Sequence, residues 1–279
     1  MQPSPPLTRD TIHSTLSTKW LGRRIELFDC LPSTNREAVQ LVQAKVEHGT
    51  VVIADSQTAG RGRLSRSWFS PAGANLYCSI ILSATRPAER LTEWLSWLPL
   101  ISALAAAEAI EQVSSVQVSV KWPNDLLISE RKVGGILCES GTGAGSGPFQ
   151  VIGIGLNVNG DRGDWPADLR DSATSIWQER KIVVDRNRLL AQLLLELEQC
   201  LDELAAHGTN RLAMAYHKRC STIGHKVQAS LANGSVILGL VEGIGQDGSL
   251  RIRPEAAQPG SGTPEVMHLR VADIIHVRR

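Results

Sequence analysis

The sequence predicts an α+β protein in two parts, a large body of mixed strands and helices followed by a small all-β segment. Three observations predict it. Strand-like and amphipathic helical runs follow one another through residues 24–220 without the regular alternation of a parallel α/β chain. After Cys220, short β-type runs are separated by Asn-Gly, Asp-Gly and Pro-Gly dipeptides, and no long helical pattern fits. The chain has 279 residues, 42% of them hydrophobic, enough for one sizeable core with a smaller attachment and too apolar for a disordered chain.

In order, residues 1–7 hold three prolines and read as loose, and residues 8–19 as a short helix. Arg24–Cys30 reads as a strand. Ser33–His48 reads as a helix, with Thr34 and Glu37 spaced as a capping box and positions 38, 39, 42 and 46 near one face. Thr50–Asp55 and Asn75–Leu82 are strands, and residues 91–113 a long Ala- and Leu-rich helix. Its stretch Trp94–Ala107 carries no charge, but it is shorter than the ~20 residues of a membrane span and contains Pro99, so it reads as a buried helix. SVQVSVKWPNDLLI, KVGGILCES and FQVIGIGLNVN follow as strand-like runs, with GTGAGSGP (141–148) as a hairpin connection. That glycine run lacks the Gly-Lys-Ser/Thr ending of a phosphate loop. Residues 186–207 and 210–220 read as helices, and a boundary falls near 221–225.

Net charge is +1, which points to neither nucleic acid nor membrane as a partner. Five widely spaced cysteines without a CxxC pair read as free thiols in a reducing cytoplasm, and the seven histidines form no spaced metal cluster. The first residues lack the charged-then-apolar pattern of a signal peptide. A cytoplasmic protein is the expectation.

Against this neutral background, GRGRLSRSW at 60–68 gathers three arginines among glycines with no acid. Glycine lets backbone approach a ligand, and arginine offers a planar fork matched to carboxylate and phosphate. The same segment also suits a solvated surface turn. In KWPNDLL, 121–127, Pro123 biases Trp122 toward extended backbone. Lys121 ends a strand beside Val118 and Val120, where it either meets an anion or snorkels outward. The glycines of KVGGILCE (132–139) and GIGLNVN (153–159) mark a bulge or the close approach of another strand or a flat ligand.

Taken together, STN at 33–35, DSQTAGRGRLSRSWFSPAGANLY at 55–77, KWPNDLL, KVGGILCE and GIGLNVN make the chain resemble the biotin protein ligases, also called biotin–[acetyl-CoA-carboxylase] ligases. The likeness covers roughly residues 24–279. It implies a mixed-sheet catalytic domain of the biotin/lipoate ligase type over 24–221, an SH3-like β-barrel over 222–279 and an N-terminal extension over 1–23. It also implies activation of biotin by ATP and Mg²⁺ to biotinyl-5′-AMP, then transfer to one lysine of a biotin carboxyl carrier domain. By the resemblance, biotin contacts fall on Ser33, Thr34, Asn35, Gln57, Arg61, Gly62, Arg63 and Lys121, with Gly134 and Gly135 leaving room for the bicyclic ring. One hydroxyl cannot both cap and bind, which makes Ser33 the nearer ligand than Thr34. Lys121, with Arg63, is the expected catalytic residue, holding the carboxylate and the charge that develops at the α-phosphate. Arg63 and Arg66 would face the phosphates, Trp68 would stack on adenine or cover biotin, and Asn157 would lie near the adenosine.

The family loop often reads GRGRxGR, and Ser65 stands here at that glycine, which is tolerable if its φ stays negative. Some family members carry an N-terminal DNA-binding domain that represses transcription. The extension of residues 1–23 is too short for one, so no repressor role is expected. Monomer and homodimer stay open. Lipoate ligases and octanoyl transferases share the architecture and are the first alternative; a non-catalytic binding module is the second.

Overall fold

The structure, a computed structural model, describes residues 4–83, 94–143, 147–231, 233–255, 265–270 and 272–277. A seven-stranded mixed sheet forms the larger part, in the order β1-β2-β3-β7-β6-β5-β4. Its strands are β1 (Ile25–Leu31), β2 (Val51–Gln57), β3 (Leu76–Ser83), β4 (Ser119–Lys121), β5 (Asp125–Ile128), β6 (Arg131–Gly143) and β7 (Gly147–Leu156). Only β1 and β2 run parallel, because helix α2 (Thr34–Gln43) carries the chain from one to the other; the remaining pairs are antiparallel. β6 and β7 pair as far as Gly143 and Gly147, so residues 141–143 and 147–148 of the predicted connection belong to the strands, and residues 144–146 lie outside the described ones.

Side-chain alternation along the strands splits the core in two. Val51 and Ile53 of β2 face the main cluster, which helix α3 (Leu98–Ser114) and helix α5 (Arg186–His207) cover. Val52 and Ala54 face the other way, against Ala38 and Val42 of α2. Thus α2 covers the β1–β3 side of that second face and leaves the β6–β7 side for a groove. Short helices α1 (Arg9–Thr15), α4 (Ile176–Arg180) and α6 (Asn210–Arg219) complete this part. Helices α1, α2 and α3 are shorter than the pattern predicts. α1 ends at Thr15, short of the expected residue 19. α2 stops at Gln43, followed by Lys45 with a φ of 58°, and α3 starts at Leu98 with Pro99 in its first turn. Residues 91–93 of the predicted helix lie outside the described residues. Among the described residues, no helix is long and apolar enough to cross a membrane.

A second, antiparallel sheet follows in the order β11-β10-β9-β8-β12. Its strands are β8 (Lys226–Ser230), β9 (Val236–Ile244), β10 (Leu250–Pro254), β11 (Met267–Leu269) and β12 (Asp273–His276). Among the described residues β11 and β12 do not pair with each other, so the sheet is open where a closed barrel was expected. It is tied firmly to the larger part. The indole N–H groups of Trp97 and Trp122 donate to the carbonyls of Gln246 and Gly248, at 2.8 and 3.1 Å. Ser96 donates to Asp247 O at 2.5 Å, and the Ser221 amide to Val120 O at 2.8 Å. Val227, Val241, Leu250, Ile252 and Ile274 belong to the same apolar cluster as α3 and the larger sheet.

Candidate active site

The groove beside α2 has a volume of about 1880 Å³. Its rim is the segment Gly60–Trp68, which folds on itself as a small hairpin. The Gly62 amide donates to Arg66 O at 2.7 Å and the Trp68 amide to Gly60 O at 2.9 Å. The tip turns through Leu64 and Ser65, with φ of 54° and 58°. The condition of negative φ at Ser65 is therefore not met: the hairpin needs a left-handed residue there, where serine carries strain that glycine would not.

At the inner end the α2 N-terminus meets β2. Gln57 Oε1 accepts from the Thr34 amide at 2.9 Å and from its hydroxyl at 3.3 Å, while Gln57 Nε2 donates to Ser70 Oγ at 2.9 Å. Ser79 Oγ lies 2.8 Å from Thr34 Oγ1 and 2.6 Å from Asn35 Oδ1. The Thr34 hydroxyl thus serves Gln57 and Ser79 instead of a capping box, and Ser33 is the N-cap, with its own hydroxyl bonding to no cap amide. Asn35 Nδ2 donates to Leu137 O and to Glu139, which also takes Arg61 at 2.8 Å. Asn35 is buried and spends both amide protons on the protein, so it fixes the end of the groove.

The floor is made by absent side chains. A Cβ on Gly155 would lie 2.7 Å from Trp68 Nε1, and one on Gly153 would strike Asn35. A Cβ on Gly135 would lie 3.2 Å from Lys132 Cε and 3.4 Å from the Trp68 ring. Gly134 faces the opposite way, toward Leu156 and Leu126 at 2.7 and 2.8 Å, so the room it leaves serves core packing; it does not join Gly135 on the groove. Trp68 therefore lies against the β6–β7 glycines, its Nε1 buried without a partner among the described residues.

Lys121 and Lys132 reach the groove from the larger sheet. Lys121, at the end of β4, makes no ion pair among the described residues. Burial holds its pKa below the ordinary lysine value, against the pull of Asp125 and Asp273. Lys132 was not singled out from sequence. Its ammonium pairs with Asp125 at 2.6 Å and stands 5.4 Å over the Trp68 ring. An extra residue on β6 opposite the Leu126/Leu127 step shifts the register, bringing Lys132 and Gly135 to one side although strict alternation separates them. Its position opening KVGGIL, a motif already suspected, was the available signal.

The second sheet closes the far wall. Arg63 donates to Asn124 Oδ1 at 2.9 Å and to Ala272 O at 3.2 Å, and burial lowers its pKa without removing its charge. Arg66 grips Asp273 at 2.5 Å. Asn157 lines the groove too, with Nδ2 donating to Thr174 O at 3.0 Å. Ser33, Thr34, Asn35, Gln57, Arg61, Gly62, Arg63, Arg66, Trp68, Lys121, Gly135 and Asn157 thus share one cavity. Among the described residues no three His, Cys, Asp or Glu side chains gather as a metal cluster. A polar inner end, an aromatic lid on glycine, and a wall of arginine and lysine side chains suit a small acid bearing a polar head, joined to a nucleotide.

Comparison with known proteins agrees with this chemistry. Residues 27–159 match the family model described as the biotin/lipoate A/B protein ligase family. The chain is 34% identical to the bifunctional ligase/repressor BirA of Bacillus subtilis, over 88% of this chain and 74% of that protein. It is 30% identical to the biotin–[acetyl-CoA-carboxylase] ligase of Mycobacterium tuberculosis, over 95% and 97%. The structure of the Aquifex aeolicus biotin protein ligase in complex with biotin and ATP superposes with a TM-score of 0.78 at 25% identity, covering 91% of this chain and 100% of that one. The chain belongs to the biotin/lipoate A/B protein ligase family, among its biotin protein ligases.

Proposed function

We propose that the protein joins biotin to ATP and passes it to a lysine of a biotin carboxyl carrier domain. In the first half-reaction a biotin carboxylate oxygen attacks the α-phosphorus of ATP, forming the mixed anhydride biotinyl-5′-AMP and releasing pyrophosphate. In the second, the carrier lysine amine attacks the acyl carbon and AMP leaves. The carrier supplies the nucleophile, so the chain needs to bind, orient and exclude water.

The observation that carries this reading is the pair of lysines flanking Asp125 beside an indole laid on glycine. The biotin ring system fits the inner end, with Ser33, Thr34 and Gln57 meeting its ureido group. Lys132, over Trp68 and next to Gly135, suits the carboxylate. Lys121 and Arg63 suit the α-phosphate, where charge develops during attack; Arg66 takes the nucleotide phosphates and Asn157 borders the adenosine. Arg61, neutralised by Glu139, and Gly62 border the biotin end. Mg²⁺ arrives with ATP and asks for one or two carboxylates besides phosphate oxygens. Asp125 is a groove carboxylate that fits this need.

The test is pyrophosphate release from ATP with biotin, with lipoate or with neither acid, followed by label transfer to a carrier domain. Release with biotin alone and transfer to one carrier lysine are expected. Lys132→Ala and Lys121→Ala should each slow release on the order of 10²–10³-fold with the fold retained. Release with lipoate in place of biotin would overturn the substrate assignment. Full turnover in either variant would remove that lysine from the mechanism.

A further inference from the structure

The wall of the groove contributed by the second sheet carries basic groups that the ligase chemistry above leaves unused. His225 and His276 stack face to face, ring centroids 5.4 Å apart and 11° from parallel. Both line the groove, as do Lys226 and Lys121. The chain brings them there by a short route. The Ser221 amide is bonded to Val120 O, the residue before Lys121, so His225 follows four residues from that junction. β12 pairs with β8 in a register that sets His276 beside Val227, and the Val277 amide bonds to Lys226 O at 2.9 Å.

The imidazoles have nitrogens to offer. Among the described residues His276 Nε2 has no hydrogen-bond partner, and it is shielded from solvent, so the ring must turn to bring it to a ligand. His225 Nδ1 lies 3.3 Å from Ile223 O and donates to it, which leaves Nε2 to meet a ligand. A buried unpaired ring nitrogen costs free energy unless something fills the site. Lys121 and His225 face His276 as positive or potentially positive groups, and Glu130 opposes them. Burial, helped by Lys121 and His225, lowers the His276 pKa, so that ring stays neutral more readily until an anion enters.

We propose that His225 and His276, with Lys121, form a subsite for an inorganic diphosphate group, the part of the nucleotide that leaves as pyrophosphate. This rests on the ligase reading for its place in the reaction, but not for the binding itself. An anion against the rings favours the protonated form of His276, so occupancy takes up a proton there. Pyrophosphate is therefore held more tightly as pH falls and let go more readily as pH rises.

The experiment titrates magnesium pyrophosphate into the full chain at pH 6 and pH 8 by calorimetry, with AMP as the ligand lacking the diphosphate. His276→Gln keeps a hydrogen-bonding side chain and cannot charge; His276→Ala and His225→Ala remove the rings. Each variant should bind pyrophosphate about tenfold more weakly at pH 6, the loss of one charge-assisted hydrogen bond. The gap to wild type should narrow at pH 8, and AMP should bind unchanged. Wild-type pyrophosphate affinity in His276→Gln at pH 6 overturns the subsite, as does an equal loss of AMP binding. Absence of biotin-dependent pyrophosphate release in the wild type would sink the ligase reading alone.

Discussion

Single residues in the loop make two separable predictions. Arg63 ties the loop to Asn124 and to the Ala272 carbonyl, so it is fixed on two sides before any phosphate arrives. Arg63→Ala should raise the biotinyl-adenylate released into solution about tenfold, read by chromatography of the free adenylate, because one charge-assisted contact is lost. Leakage equal to wild type would make Arg63 a purely structural brace. Ser65 tests backbone strain. Left-handed backbone costs a serine about 1–2 kcal/mol relative to glycine, partly offset by the greater freedom glycine gains in the open loop. Ser65→Gly should therefore increase hydrogen-exchange protection of the Gly62 amide about fivefold, since that amide closes the hairpin onto Arg66. Faster exchange would show that loop entropy outweighs the relief. Composition and spacing marked Arg63 as a candidate anion ligand, but the φ of residue 65 is set by its bonded neighbours, and no property of serine reveals it.

At the level of strands, the neighbouring glycines of β6 and β7 separate packing from binding. Gly155→Ala would push a Cβ to 2.7 Å from the Trp68 indole nitrogen, so the ring must lift from the floor. The KM for biotin should rise about tenfold with little change in unfolding midpoint, since overpacking costs of order 1–3 kcal/mol and falls here on a side chain at the groove. Gly134→Ala meets Leu156 and Leu126 in the core, and should lower the unfolding midpoint while leaving that KM alone. The reverse pattern would exchange the faces assigned to these strands. The paired glycines were visible in KVGGIL, but which one faced the groove was not. The bulge that breaks alternation at Lys132 depends on pairing with β5, a long-range fact. The same reason hid Lys132 and left Lys121 the only lysine singled out. The strand and helix order itself was readable because it follows from periodicity; helix ends were not, because they depend on caps and turns such as Lys45 and Pro99.

For the molecule as a whole, the two sheets share one apolar cluster, so a boundary at 221–225 in the chain is not a boundary in the core. Thermal unfolding should follow a single transition by both calorimetry and tryptophan fluorescence. Trp122→Phe leaves Gly248 O without its indole donor and should cost about 1–3 kcal/mol, moving that transition down without splitting it. Two resolved transitions in the wild type would show instead that the second sheet folds as a separate domain. Sequence texture marked the second sheet clearly, but gave no view of the carbonyls that the two indoles reach from outside it.

Those indole bonds to Gln246 and Gly248, with Ser96 on Asp247 between them, clasp one turn of the second sheet at three consecutive residues. A clasp this short leaves no hinge there, so the width between the glycine floor and the histidine wall behaves as a fixed gauge. On the proposed reading, the length of the chain of phosphates is measured against this clasped width, and adjustment falls to the arginine hairpin at the rim. A nucleotide one phosphate short would span the gauge incompletely however tightly its base were held, and such discrimination would survive changes to the base-contacting residues.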